Sequence, residues 1–91
     1  MIAVVWLPAA IEQLLSIIDH ISEDSPAAAV ELAQTIRARA ATLATYPNRY
    51  REGRIPGTRE LVVKPNYIVV YRAKADRVEI LRVRHARRQH P

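Results

Sequence analysis

Arginine dominates the side chains of this sequence that could do chemistry. Of 14 lysines and arginines, only Lys64 and Lys74 are lysines. Arg59, Arg72, Arg82, Arg84, Arg87 and Arg88 fall in the last third, in or beside runs of β-prone residues, with His85 among them. A guanidinium presents a planar fork of donors that matches phosphate or carboxylate. The cluster therefore reads as an anion-binding surface, for phosphates or for the carboxylates of a partner. A solvated basic edge that discourages strand-to-strand aggregation is the alternative.

His85 is the one side chain near the cluster of a type that exchanges protons near neutrality. It could serve as general acid or base in phosphodiester cleavage, with Arg59 or Arg82 stabilising the developing charge. Arginine does not deprotonate, so a nuclease here would route its proton through His85, Glu60 or Glu79. The competing role for His85 is to cap a strand end or to bind a partner's backbone.

Other chemistries find less support. His85 and His90 stand in a basic tail that repels cations, and His20 belongs to a distant helix, so no metal is expected. Ser16, Ser22 and Ser25 lie in the helical half, away from the only candidate base. Gly53 and Gly57 are the only glycines, which excludes a glycine-rich phosphate loop, and no cofactor is expected. Cysteine is absent, in keeping with a reducing compartment. Tyr67 and Tyr71 share strand parity with Val69 and belong in a core. Tyr50, between Arg49 and Arg51, is the better candidate for stacking on a base.

The elements that must position these groups follow from periodicity. Ile2 to Trp6 is a short apolar run that reads as a buried strand. Pro8 suits the first turn of a helix carrying Ile11, Leu14, Leu15, Ile18 and Ile21 on one face. Ser25-Pro26 starts a second helix whose stripe is Ala29, Leu32, Ala33, Ile36, Ala40 and Leu43. Tyr46 to Arg54 is a loop. Thr58 to Val63, Tyr67 to Ala73 and Arg77 to Arg84 are strands, joined by turns at Pro65-Asn66 and Lys74-Ala75-Asp76. The expected fold is α+β, in the order β-α-α-β-β-β, with a helical hairpin packed on a twisted antiparallel sheet. Plain alternation puts Arg59 with Leu61 and Val63, Arg82 with Val78 and Ile80, and His85 with Leu81 and Val83; one bulge would swap these faces.

The 91 residues amount to a single domain, 1–91, with 49% hydrophobic and 25% charged residues. The net charge of +5 calls for an acidic partner, either nucleic acid or an acidic protein segment. The apolar start lacks a basic leader and breaks at Pro8, and no apolar run approaches the roughly 18 residues of a membrane span. The chain is expected in the cytoplasm, with no membrane partner.

Several blocks, in their order, resemble toxins of the RelE/ParE superfamily of bacterial type II toxin–antitoxin systems. They are Val5-Trp6-Leu7, Ser25-Pro26-Ala27-Ala28, Gly53 to Val62, Asn66 to Arg72 and His85-Ala86-Arg87-Arg88-Gln89. The similarity is nearest to the ParE-like branch, often called plasmid stabilisation proteins, and it implies the same β-α-α-β-β-β fold. It also implies a cognate antitoxin that wraps the toxin, and operator DNA contacted only through that antitoxin. ParE toxins poison DNA gyrase, whereas the RelE branch cleaves mRNA on the ribosome. In that second case Arg59, Arg82 and His85 correspond to catalytic positions. Otherwise Arg59, Arg72, Arg82, Arg84, Arg87 and Arg88 are expected to bind the target or the antitoxin. RelE-type ribonucleases often use further lysines and a C-terminal tyrosine, and no tyrosine follows Tyr71 here. A module that binds antitoxin without present toxicity is the remaining expectation.

Overall fold

Proline and serine fix where both helices begin in the computed structural model, which describes residues 2–63 and 66–87. Helix α1 (Pro8–Ser22) starts on Pro8, where the missing N–H has no intrahelical partner to lose. Helix α2 (Pro26–Ala41) starts after Ser25, whose hydroxyl accepts the Ala28 N–H at 3.2 Å. A 3₁₀ turn over Thr42–Ala44 ends it and buries Leu43. Strand β1 (Ala3–Trp6) precedes the helices. Strands β2 (Arg51–Glu52), β3 (Arg59–Val63), β4 (Tyr67–Ala73) and β5 (Arg77–His85) follow them.

The sheet order is β1-β5-β4-β3-β2. The expected order and layers hold, with two additions. A two-residue strand, β2, forms inside the segment read as a loop, because Arg51 pairs with Glu60 and Glu52 with Arg59. Strand β1 runs parallel to β5 at one edge, while the other pairings are antiparallel. An edge strand is covered on one side only, so β1 is half-exposed instead of buried, with Val5 39% accessible. Of the expected turns, Lys74 donates its N–H to the Arg77 carbonyl at 2.8 Å; Pro65 lies outside the described residues.

Both helices pack on one face of the sheet. The core joins Ala10 and Leu14 of α1, Ile36 and Ala40 of α2, and Leu43, to Leu61, Val63, Val69, Tyr71, Val78, Ile80 and Val83. The buried stripe of α2 is the one its spacing predicts. On α1 it is rotated: Ile11 and Leu15 stand 43% and 59% exposed, and Ala10 is fully enclosed. Small Ala10 lets α1 approach the sheet closely, and the larger neighbours turn outward.

Gln13 of α1 does something its polar type does not announce. Beyond Ile80, β5 has no β1 residue beside it, and the Val83 N–H is instead accepted by Gln13 Oε1 at 2.8 Å. Gln13→Ala would leave that N–H unmatched, at a cost of about 1–3 kcal/mol. The expected signature is faster amide hydrogen exchange at Val83, together with a lower denaturation midpoint.

The two glycines serve the β2–β3 connection. Gly57 has φ of +85°, in the left-handed region that favours glycine. A Cβ on Gly53 would collide with the Thr58 hydroxyl.

Candidate functional site

A bulge in β5 decides where the arginines go. Val70 pairs with Arg82 and Tyr71 with Ile80, so Leu81 has no opposite residue. The extra residue reverses the alternation after Ile80. Val78, Ile80, Val83 and His85 thus share the helix-covered face, and Arg82 and Arg84 emerge on the other. Plain alternation had placed Arg82 with Val78 and Ile80; the bulge overturns that placement, and Arg82 is exposed. Its own signal was the doublet Ile80-Leu81, two apolar residues in succession in a strand that otherwise alternates.

The open face of the sheet, which no helix covers, carries Arg51 on β2, Arg72 on β4, and Arg77, Arg82 and Arg84 on β5. Among the described strand residues, Glu60 and Glu79 oppose this charge there. Glu60 is nearly buried and bridges the arginines of two strands. Arg51 Nη2 lies 2.9 Å from its Oε1, and Arg84 Nη2 lies 3.4 Å from its Oε2. Glu79 pairs with Arg77 at 2.9 Å, which raises the Arg77 pKa above its usual value, and Asp76 adds to the effect. Arg72 and Arg82 have no ion-pair or hydrogen-bond partner among the described residues, and these two guanidinium groups are available to an anion.

Arg59 lies elsewhere. It shares the helix-side face with Leu61 and Val63, as expected, and its Nη1 donates to the Tyr50 carbonyl at 2.7 Å. His85 is on that same side but at the opposite end of the sheet. Arg59 pairs with Tyr71 and His85 with Tyr67, positions four residues apart on β4, roughly 13 Å along the strand. The structure therefore does not gather Arg59, Arg82 and His85 into one constellation. It gathers Arg72, Arg82 and Arg84. Arg87 is exposed just beyond β5, and Arg88 lies outside the described residues.

The loop before β2 is tied down by tyrosines. The Tyr71 hydroxyl donates to the Pro47 carbonyl at 2.9 Å, and the Arg49 guanidinium sits 5.1 Å from the centre of the Tyr46 ring. Tyr50 packs against the core, and the Arg39 guanidinium near its hydroxyl lowers the phenol pKa despite some burial, so the ring is only half available for stacking. Tyr67 is half-buried and meets His85 edge-on, with ring centres 5.2 Å apart.

Burial raises the Tyr71 phenol above its ordinary 10.0. The fold favours the neutral phenol, so this contribution is complete below pH 10 and is lost as pH rises through the raised pKa; Tyr50, whose pKa is lowered, works in the opposite sense. Tyr71→Phe should lose about 1 kcal/mol at neutral pH with the Pro47 hydrogen bond. Urea midpoints at about pH 8 and about pH 10.5 should show the gap between wild type and variant narrowing in the alkaline sample.

Among the described residues no three His, Cys, Asp or Glu side chains are grouped as metal ligands, and no helix is long and apolar enough to cross a membrane. One cluster was missed by sequence reasoning. His20 lines, with Ser16, Ile17, Tyr67 and His85, a cleft of about 400 Å³ between α1 and the ends of β4 and β5. The helix that looked distant along the chain lies over this end of the sheet.

A two-helix hairpin on one face of a small sheet, with an arginine-rich open face opposite, defines the class: the fold of RelE/ParE toxins. The sequence profile described as "ParE toxin of type II toxin-antitoxin system, parDE" matches residues 4–90. The chain belongs to this family of type II toxin–antitoxin toxins. It is similar to Toxin RelE2 of Caulobacter vibrioides, 41% identical over 97% of this chain and 99% of that protein. It is also similar to the putative toxin Y4kP of Sinorhizobium fredii, 42% identical over 94% of this chain and 90% of that one. Among solved structures, a chain of the chromosomal ParDE system from P. aeruginosa matches with a TM-score of 0.83. The identity is 25%, over 93% of this chain and 96% of that one. A conserved hypothetical protein from Helicobacter pylori shares the fold, with a TM-score of 0.60 and 18% identity over 93% of this chain and 94% of that one.

Proposed function

We propose that the chain is a ParE-like poison of DNA gyrase, active in the cytoplasm and held inactive by a cognate antitoxin. The observation that carries this reading is the separation of Arg59, Arg82 and His85 by the β5 bulge and by the length of β4, alongside two arginines on the open face, Arg72 and Arg82, whose guanidinium groups have no partner among the described residues. That arrangement supports a surface that binds a macromolecule through charge over a site assembled for proton transfer. The profile match to ParE toxins and the ParDE neighbour support the choice of branch. An acidic antitoxin segment suits a chain of net charge +5.

The test is supercoiled plasmid incubated with purified gyrase, ATP and the chain. Accumulation of linear DNA after protein denaturation, prevented by the product of the adjoining reading frame, is the expected result. The name of the Caulobacter relative, Toxin RelE2, favours a second reading, ribosome-dependent cleavage of mRNA, in which Arg59, Arg82 and His85 would have to act from separate places on the fold. Primer extension on mRNA from ribosomes treated with the chain separates the two. Codon-phased cuts with no effect on gyrase would replace the first reading by the second.

A further inference from the structure

The cleft between α1 and the ends of β4 and β5 is lined by four polar side chains: Ser16, His20, Tyr67 and His85. Apart from the bond made by one nitrogen of His85, none of them has a hydrogen-bond partner among the described residues. That exception decides the chemistry. His85 Nδ1 accepts the backbone N–H of Arg87 at 3.1 Å, so the neutral ring carries its proton on Nε2. Nε2 is thus a donor whether the ring is neutral or charged. The cleft offers two imidazole and two hydroxyl groups, with no carboxylate among its lining residues, and its natural guest is an acceptor.

We propose that this cleft is a socket for a single carboxylate side chain of the antitoxin, held between His20 and His85. The inference rests on the antitoxin reading given above. Two features favour a protein carboxylate over a nucleic-acid phosphate. No arginine lines the cleft, and the guanidinium groups suited to a phosphate chain are on the other face of the sheet. Tyr67 also forms a wall of a second cleft of about 400 Å³, lined by Ile21, Ala28, Leu32 and Thr35 together with Asn66 and Glu31. Its apolar residues suit an aliphatic side chain, and Glu31 repels an acid there. A segment carrying an acidic and an aliphatic residue would fill both clefts in one sense only: acid at the histidines, aliphatic group between the helices. Charge complementarity thus sets the register of the partner as well as adding affinity.

The experiment measures binding of the full chain to the purified product of the adjoining reading frame by calorimetry, for wild type, His20→Gln, His85→Gln and Ser16→Ala. His20 is exposed on α1, so its replacement leaves the fold intact even where His85→Gln perturbs the strand end. Each histidine variant should bind about ten- to a hundredfold more weakly, in line with the loss of one charge-assisted hydrogen bond. Replacing the acidic residues of the partner one at a time with glutamine should then identify one whose loss is not additive with His20→Gln. In ¹⁵N spectra of the complex, the Nε2 signals of His20 and His85 should move. If wild type binds and the histidine variants bind equally well, with both imidazole signals unmoved, the socket is refuted while the antitoxin reading stands. If the wild-type chain forms no complex at all, both fall together. Imidazole shifts induced by a DNA or RNA oligonucleotide and not by the protein partner would also overturn the proposal.

Discussion

Glu60→Ala should lower the stability of the fold by about 2–3 kcal/mol, a large fraction of what a domain of this size possesses. Glu60 bridges Arg51 of β2 and Arg84 of β5 on the open face, and it is 8% exposed. Its two partners differ. Arg51, with its side chain 59% exposed, can return to water, so its share is small. Arg84 is 22% exposed, and its Nη1 is already buried without a partner among the described residues. Removing Glu60 leaves that guanidinium half-enclosed with no counter-charge, the case in which deleting one member of a pair is most costly. The urea midpoint should fall by about 1–2 M. Glu60→Gln, which keeps an acceptor, should lose less. A shift below about 0.5 M would mean that water screens the pair as it does on an ordinary surface.

The second large effect is on function. The double variant Arg72→Glu, Arg82→Glu should still fold, because neither guanidinium has a partner to lose among the described residues; the new carboxylate at 72 stands opposite Glu79 and costs up to about 1 kcal/mol. Its affinity for the target should fall by about 100-fold or more, as two charge-assisted contacts of about 1.5–3 kcal/mol each are replaced by repulsion. Growth arrest should disappear at the expression level that stops cells with the wild-type chain. Arrest at full strength would move the target surface to Arg87 or to the helix side.

The local chemistry that starts the helices was legible from the sequence. Pro8 and Ser25-Pro26 act within a few residues of themselves, and their effect is the same whatever packs later. The strands were legible for a similar reason, since β-branched runs and turn residues are local. Three features needed partners far along the chain. Strand β2 exists only because Glu52 and Arg51 find β3, and two residues carry no period of their own. Strand β1 lies at an edge because β5 pairs with it in parallel across the whole helical hairpin, a topological fact that apolar character alone does not encode. The rotation of the α1 face follows from close approach at Ala10, which a count of large apolar residues overlooks.

The site divides along the same line. Its arginines were visible as a cluster, but the face each one occupies depends on a single inserted residue, Leu81. Arg82 changed face with it, and the proximity suggested for Arg59, Arg82 and His85 does not arise. His20 had no sequence signal at all: a lone histidine near the end of an amphipathic helix gains meaning only when the end of β5 lies beneath it.

Pulse-labelling of cells after induction of the chain alone tests the gyrase reading most directly. Thymidine and methionine incorporation are followed together over the first minutes. Thymidine uptake should fall first, with methionine uptake continuing until DNA damage accumulates. Methionine uptake collapsing first, with DNA synthesis intact, would contradict the gyrase reading and place the action of the chain at the ribosome.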